Sequence, residues 1–567
     1  MRVALAQLNT VVGDIAGNTA LVADALARAR AAGAHVTLTP ELALTGYPPE
    51  DLLLRPAFAR DAGEALQEIA SGVGDEIAIV GVVEWDRDCF NSAAVLHRGR
   101  VAATYRKRFL PNYGVFDEAR YFAAGERPLL VDVDGVRIGI AVCEDIWYPA
   151  PVTSDLAAAG ADLICCLSAS PWYRGKGDAR ERMLATRASD CAAPLAFCNQ
   201  VGGQDELVFD GRSTLFDAQG TVVARAPQFA SHLLVGDLDP SFAVRRRLRE
   251  PLQRRLVPAR EPALVELPAP APADGAPPPA GIAPPLGPEE EVWRGLVRGL
   301  ADYVDKNGFG GVVIGLSGGI DSALTAALAV DALGAERVNG VALPSVYTSG
   351  QSTDDARALA ECLAIHFLVL PIAEVVQSFE DTLAETFAGR ARDVTEENLQ
   401  ARARGTLLMA LSNKMGWLVL ATGNKSEMSV GYSTLYGDMV GGFAPLRDIS
   451  KTWVYRLARW RNAAEGREVI PSSTIERPPT AELRPDQLDT DSLPSYDDLD
   501  PIIEGHVEED LDVEELVARG HDAQVVARVL RMIARAEYKR RQGPVGIKVT
   551  PRAFGKDRRM PITNRYV

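Results

Sequence analysis

The run Gly311-Val312-Val313-Ile314-Gly315-Leu316 passes directly into Ser317-Gly318-Gly319-Ile320-Asp321-Ser322 and then into Ala323-Leu324-Thr325-Ala326-Ala327-Leu328. The first segment has the pattern of a short buried strand and the last that of a helix, so the chain is committed here to a strand–loop–helix unit. The small residues at the turn say what such a unit does. Glycine backbone N–H groups approach an anion closely, serine hydroxyls donate hydrogen bonds and the helix N-terminus adds a favourable dipole, which makes Gly315 to Ser322 a nucleotide-phosphate cradle. A Walker A loop is excluded, because no lysine precedes the hydroxyl residue. The carboxylate of Asp321 instead invites a Mg²⁺ ion bridging to the phosphates. Val338 to Leu343, Phe367 to Leu370 and Trp417 to Thr422 are further short apolar runs separated by helical segments. That is the pattern of a doubly wound parallel sheet, whose ligands belong at the carboxyl ends of the strands.

At 567 residues the chain exceeds one ordinary core. The Pro/Ala-rich stretch from Leu267 to Pro288 cannot support packing and is expected to be a linker, giving domains at 1–260 and 289–567 around a linker at 261–288. Before it, strand-like runs (Arg2 to Leu8, His35 to Thr39, Ile77 to Val83, Arg137 to Val142, Asp162 to Ser168, Leu195 to Cys198) alternate with helical stretches such as Leu21 to Ala32, the signature of a second α/β layered domain. The last segment is acidic from Asp486 to Glu515, helical from Val525 to Tyr538 and basic from Lys539 to Arg565. A formal charge of −16 argues against nucleic acid or an anionic membrane as the main partner. The N-terminus lacks the features of a signal peptide and no apolar stretch is long enough to span a bilayer, so a cytoplasmic location is the expectation. The seven cysteines include no CxxC pair that would suggest a zinc site.

Cys143 closes the apolar strand Val136 to Val142 and precedes Glu144-Asp145-Ile146-Trp147, a strand-to-turn position that suits an exposed nucleophile. Alone it reads more readily as a core residue than as a nucleophile. Two other strings bear on it: Thr39-Pro40-Glu41-Leu42 sets a carboxylate at a strand end, and Tyr105-Arg106-Lys107-Arg108 supplies a cation before a turn. Together the three can do amide chemistry, with the carboxylate taking the thiol proton, the thiolate attacking the amide carbon and the ammonium stabilising the oxyanion. In these strings the first half resembles the nitrilase superfamily, with its Glu–Lys–Cys triad. The resemblance implies an α-β-β-α sandwich, with Glu41 as general base, Lys107 as electrostatic stabiliser, Cys143 as nucleophile and Glu118, next to Asp117, as a supporting second glutamate. Within the superfamily it resembles the glutaminase domains of glutamine-dependent NAD⁺ synthetases, which implies that Tyr113, Ser170 and Lys176 hold glutamine. Lys176 also reads as a surface lysine. The Asn199 to Glu206 segment matches the family without a chemical role.

The SGGIDS string resembles the loop of the N-type ATP pyrophosphatases, which split ATP between its α and β phosphates. Leu420-Ala421-Thr422-Gly423-Asn424-Lys425-Ser426-Glu427 forms a second strand-end site. There Glu427 either caps a helix or shares one Mg²⁺ with Asp321. Further segments, Tyr436 to Gly442, Pro445 to Asp448, Pro478 to Leu483 and Asp491 to Pro494, resemble the NAD⁺ synthetases. That resemblance implies ATP contacts from Thr422 and Lys451 as well as the loop, and deamido-NAD contacts from Asn398, Arg402, Glu427 and Lys539. The bland reading of Lys539 is one residue of a solvated basic tail. Where many ammonia-dependent synthetases carry lysine before the Tyr-Gly-Asp string this chain has Leu435, so one cationic contact to the dinucleotide must come from elsewhere or from a partner chain. Arg477 for lysine is a same-sign change. The implied activity is hydrolysis of glutamine, passage of ammonia through an internal channel, and amidation of ATP-adenylated deamido-NAD. ATP and Mg²⁺ are required, free ammonia is an alternative nitrogen source, and the synthetase domains pair into a homo-oligomer. The alternative is a carbon–nitrogen hydrolase with a regulatory ATP-binding domain.

Overall fold

In the computed structural model, which describes residues 1–249, 256–271, 281–485 and 487–566, the chain divides into two units, Met1–Gln204 with Val208–Leu286, and Gly287–Val567 with Asp205–Leu207. The strands of the first are Arg2–Gln7 (β1), Val36–Leu38 (β2), Ile77–Trp85 (β3), Cys89–His97 (β4), Arg100–Arg106 (β5), Leu129–Val133 (β6), Val136–Val142 (β7), Leu163–Ser168 (β8), Leu195–Asn199 (β9), Val201–Gln204 (β10), Leu207–Asp210 (β11), Thr214–Phe216 (β12), Val222–Arg225 (β13), His232–Asp237 (β14) and Ala263–Leu267 (β15). Two large sheets result, ordered β14-β1-β2-β3-β4-β5 and β13-β12-β9-β8-β7-β6-β15.

Side-chain alternation explains how they stack. Val3 and Leu5 of β1, Leu38 of β2 and Ile79 of β3 join Ile138, Ile140 and Val142 of β7 and Cys165 of β8 in one core between the sheets. The intervening residues turn outward: Ala141, Ile164 and Cys166 meet Leu184 and Ala188 of helix Lys176–Cys191. On the other side Ala6, Ala78 and Val80 meet Val22, Ala25 and Ile69 of helices Ile15–Ala31 and Pro56–Ser71. The layers are therefore helix, sheet, sheet, helix, a nitrilase-like sandwich. Because both faces of β7 and β8 are covered, these strands read as continuous apolar runs.

The expected linker at 261–288 needs correction. Residues 272–280 lie outside the described residues, but Ala263–Leu267 forms β15, in parallel register with β6, and Ile282 bridges to Arg225. The proline-free string Ala-Leu-Val-Glu-Leu covers the open edge of β6, satisfying backbone groups that an edge strand leaves bare.

In the second unit Gly311–Gly315 (β16), Val338–Ala342 (β17), His366–Val369 (β18) and Trp417–Leu420 (β19) form a sheet ordered β18-β17-β16-β19, every pair parallel. The chain steps outward from β16 to β18 and then returns to the far side of β16, so the order reverses between β16 and β19. That reversal opens a crevice at their carboxyl ends. Val313, Val341 and Val419 pack against Leu408 of helix Val394–Met415. The helical tail is Ala523–Arg535 followed by Glu537–Arg540, and its apolar face joins Leu499 and Ile502 in a separate cluster. Among the described residues no helix is long and apolar enough to cross a membrane.

Candidate active sites

In the first unit β7 ends at Val142, and Cys143 opens a short 3₁₀ turn with φ at 45°, in the left-handed region that non-glycine residues seldom occupy. Such local strain is held only where surrounding contacts over-determine it. Here the side chain of Asp145 supplies them: its carboxylate accepts from the Val142 N–H (3.0 Å), the Tyr105 hydroxyl (2.8 Å) and the N–H groups of Arg108 (3.1 Å) and Phe109 (2.9 Å). One buried carboxylate thus ties the Cys143 turn to the chain leaving β5, where Lys107 sits.

Glu41 follows β2 on a turn that lies against β3 so closely that a Cβ on Gly81 would stand 2.2 Å from the Pro40 carbonyl oxygen. Its carboxylate accepts from Lys107 Nζ (2.7 Å), Asn91 Nδ2 (2.7 Å) and the Ala169 N–H (2.9 Å). Lys107 also donates to Glu118 Oε1 (2.8 Å), which takes a second bond from the Tyr47 hydroxyl (2.8 Å). Burial pushes the Glu118 carboxyl up to about 7, against the opposing pull of Lys107. Burial pulls the Lys107 ammonium down, but Glu118 and Glu41 more than offset it and hold Lys107 well above the usual lysine range. The Cys143 thiol is pushed up by burial and by Glu41, while Lys107 and a hydrogen bond from Ser168 draw it back. All four predicted residues of this group are buried.

The three residues expected to hold glutamine lie on the segments that flank the cluster. The Tyr113 hydroxyl donates to Glu144 Oε1 (2.7 Å), although the ring is 55% exposed. Ser170 is buried, and its N–H donates to Asn199 Oδ1 (2.9 Å). Lys176 is no solvated lysine: Nζ donates to the Pro171 carbonyl (2.6 Å) and stands 5.5 Å from the Trp147 ring centre. Asn199, which had no role assigned from its local string, accepts from the Ser170 N–H and donates to the Gly211 carbonyl (2.9 Å). Sequence reasoning missed the anchoring by Asp145, the contacts of Asn199 and the Ser168–Cys143 contact, because nothing local marks a residue whose partners lie on other strands.

In the second unit the crevice between β16 and β19 encloses about 290 Å³. Gly315 to Ser322 line it, apart from Gly318, together with Thr422, Glu427 and Lys451. Gly318 has φ at 77°, and a Cβ there would lie 2.4 Å from the Ser352 carbonyl oxygen, so only glycine fits. Lys451 Nζ bonds to Asp321 Oδ2 and reaches Glu427 Oε1 at 3.4 Å. Asn424 Nδ2 donates to Asp321 Oδ1 (2.8 Å) and the Asn424 N–H to Glu427 Oε2 (3.3 Å), so all four oxygens of the carboxylate pair face protein donors. Burial, with Asp321 adding to it, pushes the Glu427 carboxyl up to about 8 while Lys451 opposes.

Asn398, Arg402 and Lys539 do not line this cavity. They converge behind it on one loop: Asn398 Oδ1 accepts from Thr434 Oγ1 (2.7 Å), Arg402 Nε donates to the Leu435 carbonyl (3.2 Å), and Lys539 Nζ donates to the carbonyls of Gly431 (2.8 Å) and Ser433 (2.7 Å). Lys539 is therefore part of a built loop rather than a free basic tail, and Arg402 holds the same loop at the backbone of Leu435.

The donor chemistry at the carboxylate pair suits Mg²⁺. It offers hard oxygen ligands from two carboxylates, the number such an ion takes when phosphates and water complete its shell. Among the described residues no group of three or more His, Cys, Asp or Glu side chains forms a different metal site.

Comparison with known proteins finds one family for each unit. Residues 2–247 match the carbon-nitrogen hydrolase family and residues 292–543 the NAD synthase family. Glutamine-dependent NAD(+) synthetases of Thermotoga maritima and Aquifex aeolicus are 48% and 45% identical over 100% of this chain and 99% and 100% of theirs. The solved structure of the glutamine-dependent NAD+ synthetase from Acinetobacter baumannii in complex with ADP is 42% identical, with a TM-score of 0.76 over 99% of this chain and 98% of that one. A Cytophaga hutchinsonii structure, 22% identical with a TM-score of 0.81 over 100% and 98% of the two chains, shares the fold. The chain belongs to the glutamine-dependent NAD⁺ synthetases, ligases that carry a carbon–nitrogen hydrolase domain and an NAD synthase domain in one polypeptide.

Proposed function

We propose that the first unit releases ammonia from glutamine at Cys143, and that the second uses it to amidate deamido-NAD after ATP has adenylated the carboxylate. The buried arrangement of Lys107 between Glu41 and Glu118, beside the Cys143 turn, carries this reading. Glu41 takes the thiol proton, and the sulfur attacks the side-chain amide carbon. The carbonyl electron pair moves to oxygen, where the Lys107 ammonium stabilises it. Glu41 returns the proton to the leaving nitrogen, ammonia departs, and water cleaves the thioester to glutamate. Glu118 and Tyr47 hold Lys107 in place through these steps, while Tyr113, Ser170 and Lys176 hold the amino-acid end of the substrate.

In the second unit the N–H groups and hydroxyls of Ser317 to Ser322, with Thr422 and Lys451, hold the triphosphate. Asp321 and Glu427 would hold Mg²⁺, which when bound supplies charge neutralisation on the phosphates. Lys451 bonds those same carboxylates, so it stands where it can also meet phosphate oxygens. Asn398, Arg402 and Lys539 shape the loop 431–438, against which the dinucleotide lies. The carboxylate oxygen attacks the α-phosphorus of ATP and pyrophosphate leaves, giving an acyl adenylate; ammonia then adds to the acyl carbon and AMP departs.

The test supplies purified protein with ATP, Mg²⁺ and deamido-NAD, adds either glutamine or ammonium, and follows NAD⁺ and AMP together. Both products from either nitrogen source are expected. Glutamate release with neither product would overturn the assignment of the second unit and leave a hydrolase with an ATP-binding regulatory unit.

A further inference from the structure

We propose that Ser168 is a catalytic residue of the glutamine-hydrolysing site, its hydroxyl serving as the hydrogen-bond donor to the Cys143 sulfur as the thiolate forms. Ser168 ends β8, whose parallel register with β7 pairs Leu167 with Val142 and so brings the ends of both strands together. Its side chain is wholly buried, and Oγ lies 3.5 Å from Cys143 Sγ. A hydroxyl taken from water must be hydrogen-bonded or it costs free energy. The rest of this strand is Leu-Ile-Cys-Cys-Leu, so the fold gains nothing in packing from a polar group at its last position.

The chemistry of the acceptor gives the serine its purpose. A thiol sulfur is a weak acceptor, whereas a bond to an ionised acceptor is about twice as strong as a neutral one. The Ser168–Cys143 contact is therefore poorly matched in the resting enzyme and well matched once Glu41 has taken the thiol proton, leaving the S–H electron pair on sulfur. Contacts that strengthen on the way to the transition state are the ones that raise the rate. Lys107 is bonded to Glu41 and Glu118 and is the cation for the developing oxyanion, which leaves Ser168 as the donor dedicated to sulfur. Burial and Glu41 both disfavour the thiolate, so a compensating donor is needed at this position. The same short turn also gives the Ala169 N–H to Glu41 and receives Asn199 at the Ser170 N–H, so Ser168 cannot shift without moving the base and the substrate residues.

A hydrogen bond to a charged acceptor raises the thiolate population on the order of tenfold to a hundredfold. Nucleophilicity falls with basicity at a Brønsted slope near one half, which leaves a net acceleration of about three- to tenfold. The test compares Ser168→Thr with Ser168→Val in the full chain. The two side chains have nearly the same shape and differ in the hydroxyl, so any cost of the added methyl is common to both. The first readout is the rate of Cys143 alkylation by iodoacetamide against pH, followed by mass spectrometry of the Cys143 peptide. Ser168→Val is expected to shift the profile upward by about one pH unit or more relative to Ser168→Thr, the tenfold change in thiolate given above. The second is glutamine hydrolysis, with kcat three- to tenfold lower in Ser168→Val and KM the same in both. Coincident alkylation profiles, or a difference in KM alone, would overturn the inference. It rests on Cys143 being the nucleophile, and Cys143→Ala tests that separately: retained glutamine hydrolysis there would remove the nucleophile, whereas coincident Thr and Val profiles remove only the serine.

Discussion

Replacing Lys107 by methionine keeps the length of the side chain and deletes the cation that bridges Glu41 and Glu118. Lys107 and Glu41 are almost fully enclosed and Glu118 nearly so. Breaking a buried pair of this kind costs about 3–5 kcal/mol, because the carboxylates left behind keep only neutral donors and lose their counter-ion in a site closed to water. The penalty has a pH signature. Glu118 in the native enzyme already titrates near 7, above the usual carboxylate range, so the folded state holds a proton there that the unfolded chain releases. Below pH 7 both proteins carry that proton, and the difference between them is flat. Without Lys107 to draw it down, the carboxyl in the variant titrates higher still. Above pH 7 the variant must keep a proton that the native site has lost, and the stability gap widens by about 1.4 kcal/mol per pH unit until that carboxyl ionises. Thiol exposure can read this for the first unit alone, since six of the seven cysteines lie there and all six are buried, while Cys362 is in the second. Trapping rates of Cys165, Cys166 and Cys198 at pH 6, 7, 8 and 9, converted to opening free energies, should show the gap opening only on the alkaline side. A gap that stayed constant from pH 6 to 9 would refute the shared-cation reading.

Cys143→Ala should abolish NAD⁺ formation from glutamine while sparing ammonia-driven synthesis, and Asp321→Asn should stop both, as product analysis by chromatography would show. Gly318→Ala forces a side chain into a left-handed position 2.4 Å from the Ser352 carbonyl oxygen. Titration of nucleotide binding by calorimetry should show affinity reduced at least tenfold, the equivalent of about 1–3 kcal/mol of strain, with glutamine hydrolysis untouched. Asp145→Ala leaves three N–H groups and the Tyr105 hydroxyl unpaired. A loss of several kcal/mol from the first unit is expected, visible as faster trapping of the same thiols.

The phosphate loop, the Cys143 turn and the strands that deliver them were legible in the sequence because each is local: an apolar run and the small or reactive residues next to it. Less legible was β4 to β5. Cys89–His97 is buried along its whole length, so it shows no alternation, and the turn at Arg98 and Gly99 carries no proline or Asn-Gly signal. The linker was expected from 261, but the Pro/Ala-rich stretch begins only at Leu267, and the proline-free string before it pairs with β6 as β15. The proposed trio was read from three strings, but the reason Lys107 stays charged in a buried site depends on Glu118 and Tyr47, which lie 11 and 71 residues from their partners. Arg402 and Lys539 were expected at a dinucleotide, and their common attachment to the 431–435 loop is a tertiary fact that helical spacing does not encode.

The four occupied oxygens of Asp321 and Glu427 bear on how a nucleotide reaches the crevice. A polyanion approaching a chain of net charge −16 is repelled at long range, and two bare carboxylates on the crevice wall would extend that repulsion to contact. With both turned onto Lys451 and Asn424, the short-range field is set instead by the loop N–H groups and by Arg404 on the same wall. Beyond about 8 Å physiological salt screens the acidic surface. Encounter is thereby divided into an outer step that ionic strength assists and an inner step that it leaves intact, so a strongly acidic protein can still capture phosphates quickly.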